Sequence, residues 1–527
     1  MATVREVTLD LLRELGMTSV FGNPGSTELP FLRDFPDDFT YVLGLQEAAV
    51  LGMAEGYARA TGRAALVNLH TSPGLGNALG NVVTAWHNKT PLVITAGQQD
   101  RRHIALEPLL SGRLVELAEP YVKRSHEPYR AEDVPGEIHR AYHAAMQPPQ
   151  GPVFVSIPMN DWDAEAEPYT AREVSHRVAP DPEMLEKAAE ILAAARRPAV
   201  VAGAGISRAG AFYDAVTLTE KLRAEVWLEP NSPLNGFPQD HPLFQGHLAL
   251  ARKRLAEQLS PYDVVLVLGG PVFRYYPYTP GPTVEEGTQL LHVTEDPEEA
   301  HRAAVGTSLV GDVGLAIRGF LELLPETARP QPPAPEPPPR PEATSPMPVG
   351  YVMNVLSEVL PEDAMIADES ASSKTRFHQY VRPSRPGGYL TSAAGGLGYC
   401  LPASVGLKLA APQRPVVCVI GDGSIVYSIQ ALWSAVRYGA DVLIVVIDNK
   451  GYSILKAFRD AIGIDDTVPG LDVSGIDFVR VAEGFGVGGE IVKEADELPE
   501  ALRRGLQAGR PYLLDVVVDP AVPKLLS

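Results

Sequence analysis

Cysteine is almost missing, with Cys400 and Cys418 the only two in 527 residues. Two thiols cannot build the multi-bridge framework of a small secreted domain. Both sit in apolar runs, which reads as two reduced, buried thiols in a reducing compartment, with a single disulfide or a metal pair as the competing reading. Long apolar runs are also missing. Nothing approaches the ~20 residues that span a bilayer, and "VLIVVI" at 442–447 reads as a buried strand. Positive charge is scarce, with Lys+Arg 45 against Asp+Glu 65 and a formal net charge of −20. Nucleic acid and anionic membrane surfaces are therefore excluded as partners, because both need a basic face. The N-terminal stretch places Val7, Leu11, Leu12 and Leu15 at helical spacing with acids between them and Gly16 as a stop. That is a domain's first helix and not a signal peptide, so a cytoplasmic protein is expected.

Hydrophobic residues make up 45% and charged residues 21%, the profile of a soluble globular enzyme. The length calls for about three domains. Prolines crowd into "ARPQPPAPEPPPRPEATSP" at 328–346, a linker of extended polyproline geometry, with an SH3-type ligand as the rival reading. A softer boundary falls at about 165–182. The segments are then 1–170, 182–327, the linker 328–346, and 347–527. Each alternates short apolar runs with amphipathic stretches: "AALVNLH" and "PLVITAG", then "PAVVAGAG" and "DVVLVLGG", then "PVVCVIGDG" and "DVLIVVIDN". Strands without polar alternation, separated by helices, predict α/β domains whose doubly wound parallel sheets are covered on both faces. Ligands then sit at the carboxyl ends of strands.

"GAGISRAG" follows a strand in the middle segment, but Arg208 stands where the third glycine of a dinucleotide fingerprint belongs. It reads as a Gly-rich structural turn. The third segment is more specific. One strand ends in Gly421-Asp422-Gly423-Ser424, a helix follows, and the next strand ends in Asp448-Asn449. This β-α-β spacing brings the Asp422 carboxylate and the Asn449 amide to one sheet edge, two hard oxygen donors suited to Mg²⁺. Gly423 and Ser424 open the intervening helix, where free N–H groups favour a diphosphate.

That spacing, with "FGNPGSTELPF", "LQEAAVLGMAEGYARATGR", "AAGGLG" and "VPGLDVSGIDF", resembles the thiamin diphosphate-dependent 2-oxoacid decarboxylase family, in its benzoylformate decarboxylase branch. The resemblance implies, in chain order, pyrimidine-binding, middle and diphosphate-binding domains. It also gives Glu47 a role beyond that of a first-turn acid complementing a helix dipole. Glu47 matches the acid that hydrogen-bonds N1′ of the cofactor's aminopyrimidine, so that N4′ can take the proton from the thiazolium C2. Apolar walls would favour a protonated, donating carboxyl there.

By the same resemblance Gly395 offers its carbonyl to N4′, Leu397 is the wedge under the bent cofactor, and the main-chain carbonyl of Gly451 is the third Mg²⁺ ligand. Ser370, Ala371 and Ser372 match the segment near the diphosphate. Ser26 and His70 match the polar pair that handles substrate, and His70 ends a buried strand as a candidate proton-transfer group. Nothing lifts His87 or His103 above surface or structural residues. Leu109, Leu110, Ile454 and Phe458 would line the side-chain pocket.

Departures concern the substrate. Tyr276 stands where the branch has a second histidine, Asp448 where Asn is usual, and Ala371 where Thr is usual. Thr391 and Ile454 replace Phe and Ala, which pushes the pocket toward aliphatic or otherwise reshaped side chains, while Phe458, Leu109 and Leu110 keep it hospitable to an aryl group. The expected reaction is nonoxidative decarboxylation of a benzoylformate-like 2-oxo acid to an aldehyde and CO₂. The alternatives are a carboligase of acetolactate synthase type and a noncatalytic subunit that keeps the fold. The resemblance also implies that one site draws its halves from two subunits of a homodimer, commonly within a homotetramer.

Overall fold

The runs of Val, Ile, Leu and Ala form three six-stranded parallel sheets in the computed structural model, which describes residues 1–464 and 468–522. Edge to edge, the first sheet runs Thr40–Leu43, Ser19–Gly22, Ala65–Leu69, Leu92–Gln98, Pro152–Pro158 and Ser125–His126. The third runs Tyr389–Leu390, Met365–Glu369, Val416–Gly421, Val442–Asp448, Tyr512–Val517 and Gly488–Val492. Counted in chain order within each sheet, both follow 2-1-3-4-6-5. The middle sheet, from Pro198–Ala202 to Thr307–Val310, follows 3-2-1-4-5-6. All three are covered by helices, which is why their strands read as continuous apolar runs.

Local signals place the ends. The helix Val4–Leu15 starts on a capping box in which the Thr3 hydroxyl accepts the Glu6 N–H at 3.2 Å, and it stops at Gly16 with φ +71°. The proline-rich stretch carries no helix or strand from 324 to 343. Its start is fixed to the middle domain, where the Arg329 guanidinium donates to the carbonyls of Ala195 (2.7 Å) and Leu222 (3.0 Å). Both cysteines are free and buried. No helix among the described residues is long and apolar enough to cross a membrane.

One apolar core runs through the first and third domains, from Phe21, Val50 and Met53 to Tyr399, Leu401 and Ile444. It is continuous because the helices Glu47–Thr61 and Cys400–Ala410 meet backbone to backbone. A Cβ on Gly56 would lie 2.0 Å from the Ala403 carbonyl oxygen, and one on Gly406 would lie 1.9 Å from that of Met53. Only glycine permits that approach. The middle domain keeps its own core around Val200, Leu218, Leu266 and Phe320.

The connector to the middle domain is tied to the first by polar contacts that composition does not advertise. The Ala171 N–H donates to Glu14 (2.7 Å), and the Arg172 N–H donates to His139 Nε2 (3.0 Å). The Tyr169 hydroxyl lies 3.2 Å from His139 Nδ1, and His176 Nε2 lies 3.2 Å from His143 Nδ1. Burial lowers the pKa of His139 and of His176, and the neighbouring His143 lowers both further. Lys123 disfavours a charged His176, whereas Glu14 favours a charged His139. Docking thus favours the neutral form of both rings, although the Arg172 carbonyl works against this at His139. It gains from them above about pH 6.5 and loses that gain as the pH falls through the ordinary imidazole value toward the lowered ones. Hydrogen exchange should show protected amides in 169–177 at about pH 7.5 and loss of that protection at about pH 5.5. Equal protection factors at both values would contradict the assignment.

Candidate active site

The first cluster sits where strands of the N-terminal sheet end. Glu47 opens the helix Glu47–Thr61 but does not cap it. The Gln46 side chain does that, accepting the N–H groups of Ala48 (2.7 Å) and Ala49 (3.2 Å). The buried Glu47 carboxylate is thereby left for other partners. It accepts from the Asn77 amide at 3.1 Å and from that of Asn23 at 3.5 Å. This corrects the expectation of apolar walls, because the loop after Ser19–Gly22 and the helix Thr71–Asn88 each bring an amide to the carboxylate.

His70 follows the strand Ala65–Leu69, with its side chain 21% exposed. Its Nδ1 lies 2.8 Å from Glu28 Oε2 and 3.1 Å from the Thr27 hydroxyl. Glu28 is buried and also accepts from the N–H groups of Gly25 (2.8 Å) and Gly97 (2.9 Å) and from the Thr27 hydroxyl (2.8 Å). The carboxylate is fixed by backbone from a loop at Gly25 and from the strand Leu92–Gln98 at Gly97, and in turn fixes the ring. With Nδ1 engaged inward, Nε2 is the nitrogen left for chemistry. Ser26 is exposed on the same loop. Sequence reading singled out Ser26 and passed over Glu28, whose only signal was an acid two residues later in the same turn.

The second cluster lies at the carboxyl edge of the C-terminal sheet. Gly421 and Ile447 are register partners on adjacent strands, so Asp422 and Asn449 emerge side by side. Asp422 Oδ2 and Asn449 Oδ1 both accept the Gly451 N–H, at 3.0 and 3.2 Å. The Gly451 carbonyl accepts from the Ser453 N–H at 2.9 Å. Burial pushes Asp422 up to about 6, opposed by the N–H groups of Gly423 and Gly451 and reinforced by Asp448. Burial and Asp448 push Asp515 up to about 7. Lys450 pairs with Asp448. One ammonium thus faces three carboxylates, and two oxygen donors converge on one N–H, an arrangement that suits a divalent cation taking few protein ligands. Among the described residues, no group of three or more His, Cys, Asp or Glu is arranged to hold a metal ion. The oxygens that meet at this edge are the Asp422 carboxylate, the Asn449 amide and the Gly451 carbonyl.

Around this edge, the Ser370 hydroxyl and N–H both donate to Asp368 Oδ1, at 2.5 and 3.0 Å. Ala371 is exposed, and the Ser372 hydroxyl accepts the Ile454 N–H at 3.0 Å. Gly423 and Ser424 are buried in the turn of helix that begins at Asp422. Gly395 and Leu397 lie on the loop before the helix Cys400–Ala410. Ile454 and Phe458 are one turn apart on Ser453–Ala461, and the Phe458 ring meets Tyr276 at 4.9 Å between centroids. Thr391 departs from its expected place in the pocket wall. It is 3% exposed and its hydroxyl donates to the Asp368 carbonyl at 2.7 Å. Leu109 is 87% exposed, and Leu110 follows it at φ +67°.

Among the described residues no hydrogen bond, ion pair or ring contact joins Ser26, Glu47 or His70 to Asp422, Asn449, Ser370–Ser372 or Phe458. A small cleft at the middle domain's strand ends, lined by Lys89, Arg208, Glu229 and Glu299, belongs to neither cluster. Ion pairs occupy its walls, Lys89 with Glu299 (2.8 Å) and Arg208 with Glu295 (2.7 Å), so the arginine that breaks the glycine fingerprint is a structural partner.

Comparison with known proteins finds three family models along the chain. Residues 2–116, 185–320 and 370–516 match the N-terminal thiamine pyrophosphate (TPP) binding, central and C-terminal TPP binding domains of thiamine pyrophosphate enzymes. Benzoylformate decarboxylase of Pseudomonas aeruginosa is 44% identical over 99% of this chain and 100% of its own. The crystal structure of benzoylformate decarboxylase from Polynucleobacter necessarius superposes with a TM-score of 0.97 at 41% identity, covering 99% of this chain and 100% of that one. The 4-hydroxybenzoylformate decarboxylase of Rhodococcus jostii gives 0.96 at 43% identity over the same shares. Acetolactate synthase large subunits are more distant, that of Escherichia coli isozyme 3 at 27% identity over 98% of this chain and 94% of its own. The chain belongs to the thiamine pyrophosphate-dependent 2-oxoacid decarboxylase family, close to benzoylformate decarboxylase.

Proposed function

We propose that the protein catalyses nonoxidative decarboxylation of a small 2-oxo acid with an apolar, benzoylformate-like side chain, giving an aldehyde and CO₂. The observation that carries this reading is the convergence of Asp422 and Asn449 on the Gly451 N–H at adjacent strand ends. Those two residues and the Gly451 carbonyl would hold Mg²⁺, with Gly423, Ser424 and the Ser370–Ser372 turn around the diphosphate. Thiamin diphosphate, when bound, supplies the nucleophilic carbon and the electron sink. The chain supplies the rest. Glu47, oriented by Asn23 and Asn77, holds and moves the proton at N1′ of the aminopyrimidine. The Gly395 carbonyl and the Leu397 side chain would hold the aminopyrimidine end of the cofactor.

Ser26 and His70 handle the substrate carboxylate, and His70 Nε2 donates a proton toward the nascent aldehyde carbon. Tyr276 and Phe458 form an aromatic wall, which favours an aryl side chain. A noncatalytic role is disfavoured because Glu47 and Asp422 are both present. A carboligase would use the same residues and differ in product. The separation of the two clusters in one chain supports sites completed between subunits, so a homodimer is the minimal unit and a cytoplasmic homotetramer the proposed form.

Exhaustive chelation and gel filtration should leave an inactive protein that recovers only when thiamin diphosphate and Mg²⁺ are both returned. Aldehyde and CO₂ should then form from a panel of aromatic, branched and linear 2-oxo acids. Full turnover by the stripped protein would sink the reading, and hydroxyketone as the main product would replace it with carboligation. Glu28→Gln keeps the shape but turns an amide toward His70 and two backbone N–H groups. The variant should lose roughly 10- to 100-fold in kcat, the scale of a misplaced proton-transfer group, with cofactor affinity unchanged. An unaltered kcat would remove Glu28 from the account.

A further inference from the structure

The loop 391–399 is held by all three domains. The Thr391 N–H donates to the Pro233 carbonyl (3.1 Å) and the Asn231 amide to the Ser392 carbonyl (3.3 Å), both from the middle domain. From the N-terminal domain, Asn88 Oδ1 accepts the Ala393 N–H (2.8 Å) and the Asn81 amide donates to the Gly398 carbonyl (3.4 Å). The strongest hold comes from the C-terminal domain itself. Glu369, the last residue of the strand Met365–Glu369, accepts three consecutive N–H groups: Gly398 at 2.6 Å, Tyr399 at 2.8 Å and Cys400 at 2.7 Å.

Successive N–H groups converging on one carboxylate form a charge-assisted nest. The nest forms only because Gly398 adopts φ +94°, and a Cβ there would lie 2.7 Å from that of Tyr427. Burial pushes Glu369 up to about 7, opposed by these three donors. The preceding residue, Asp368, takes the Ser370 N–H and hydroxyl. Two adjacent acids thus shape the two backbone segments that border the site, one on each side of the strand end. The buried Lys374 lies close to both acids and donates to Asn231.

We propose that Glu369 is a positioning residue for the reaction: through Gly398, Tyr399 and Cys400 it sets the Gly395 carbonyl and the Leu397 side chain against the cofactor ring. The proposal rests on the reading above that places those two residues at the aminopyrimidine. A carboxylate that merely started the helix Cys400–Ala410 would affect stability and leave cofactor affinity alone, and this separates the two roles.

Glu369→Gln tests it, since the amide NH₂ must face an N–H that the carboxylate accepted. Hydrogen exchange on the holoenzyme should show the amides of 398–400 opening about tenfold faster, the scale of one lost hydrogen bond to a charged group. Thiamin diphosphate affinity, read from tryptophan fluorescence of protein stripped and titrated in Mg²⁺, should weaken about tenfold, with kcat at saturating cofactor falling by a similar factor. Glu369→Asp, which keeps the charge but shortens the reach, should lie between the two and carries the test if the Gln variant does not fold. Faster exchange at 398–400 with native affinity and native kcat would overturn the proposal alone. Failure of the native protein to bind thiamin diphosphate would overturn the cofactor reading and the proposal with it.

Discussion

The contact on which the rest depends is the meeting of the helices Glu47–Thr61 and Cys400–Ala410 with no side chain between their backbones at Gly56 and Gly406. It joins the first and third domains into one apolar core and fixes two helix starts relative to each other. Glu47 stands at one start, and the Gly398–Cys400 nest stands at the other. Asn81 reaches both, donating to the Ala48 carbonyl at 2.6 Å and the Gly398 carbonyl at 3.4 Å. A methyl group at either glycine would push the helices apart and with them the acid and the loop of the proposed cofactor site. Close packing transmits such a shift because interiors have few voids to absorb it.

A chain this acidic has to give its buried carboxylates specific company, since an unpaired buried charge is costly. The middle domain does so with cations, pairing Arg208 with Glu295 and Lys89 with Glu299. Around the proposed site the partners are mostly N–H groups. Glu28 takes two backbone N–H groups and a hydroxyl before it meets His70, Glu369 takes three N–H groups, and Glu47 takes two side-chain amides. Neutral donors fix Glu28 and Glu47 directly, and at Glu369 the three N–H groups do so although the buried Lys374 lies near. Asp422, Asp448 and Asp515 are the exception, grouped around the Lys450 ammonium at the edge proposed to take a divalent cation.

Much of this was legible in the sequence, because the parallel sheets leave a direct trace. Strands buried on both faces are runs such as "VLIVVI", and the Asp422 and Asn449 pair follows from where two such runs stop. What stayed hidden depends on partners distant in the chain. Glu28 and Glu369 looked like ordinary acids because their partners are backbone N–H groups, which no residue type announces. Thr391 was placed in the pocket by position, whereas its hydroxyl turns inward to the Asp368 carbonyl. Apolar walls were expected for Glu47 from its Ala- and Gly-rich helix, but Asn23 and Asn77 come from other elements. The shared strand order of the outer domains has no local signal, since it is set by which strands pair.

At the centre of the account is the proposed role of a buried acid, Glu47, in moving the proton that activates the cofactor. Hydrogen-deuterium exchange at C2 of enzyme-bound thiamin diphosphate, quenched in acid and read by NMR, isolates that step from substrate binding. In Glu47→Gln the exchange should slow by about 100-fold or more, the scale of a positioned acid-base group. An exchange rate equal to that of the native enzyme would contradict the account and leave Glu47 as an acid at the start of a helix.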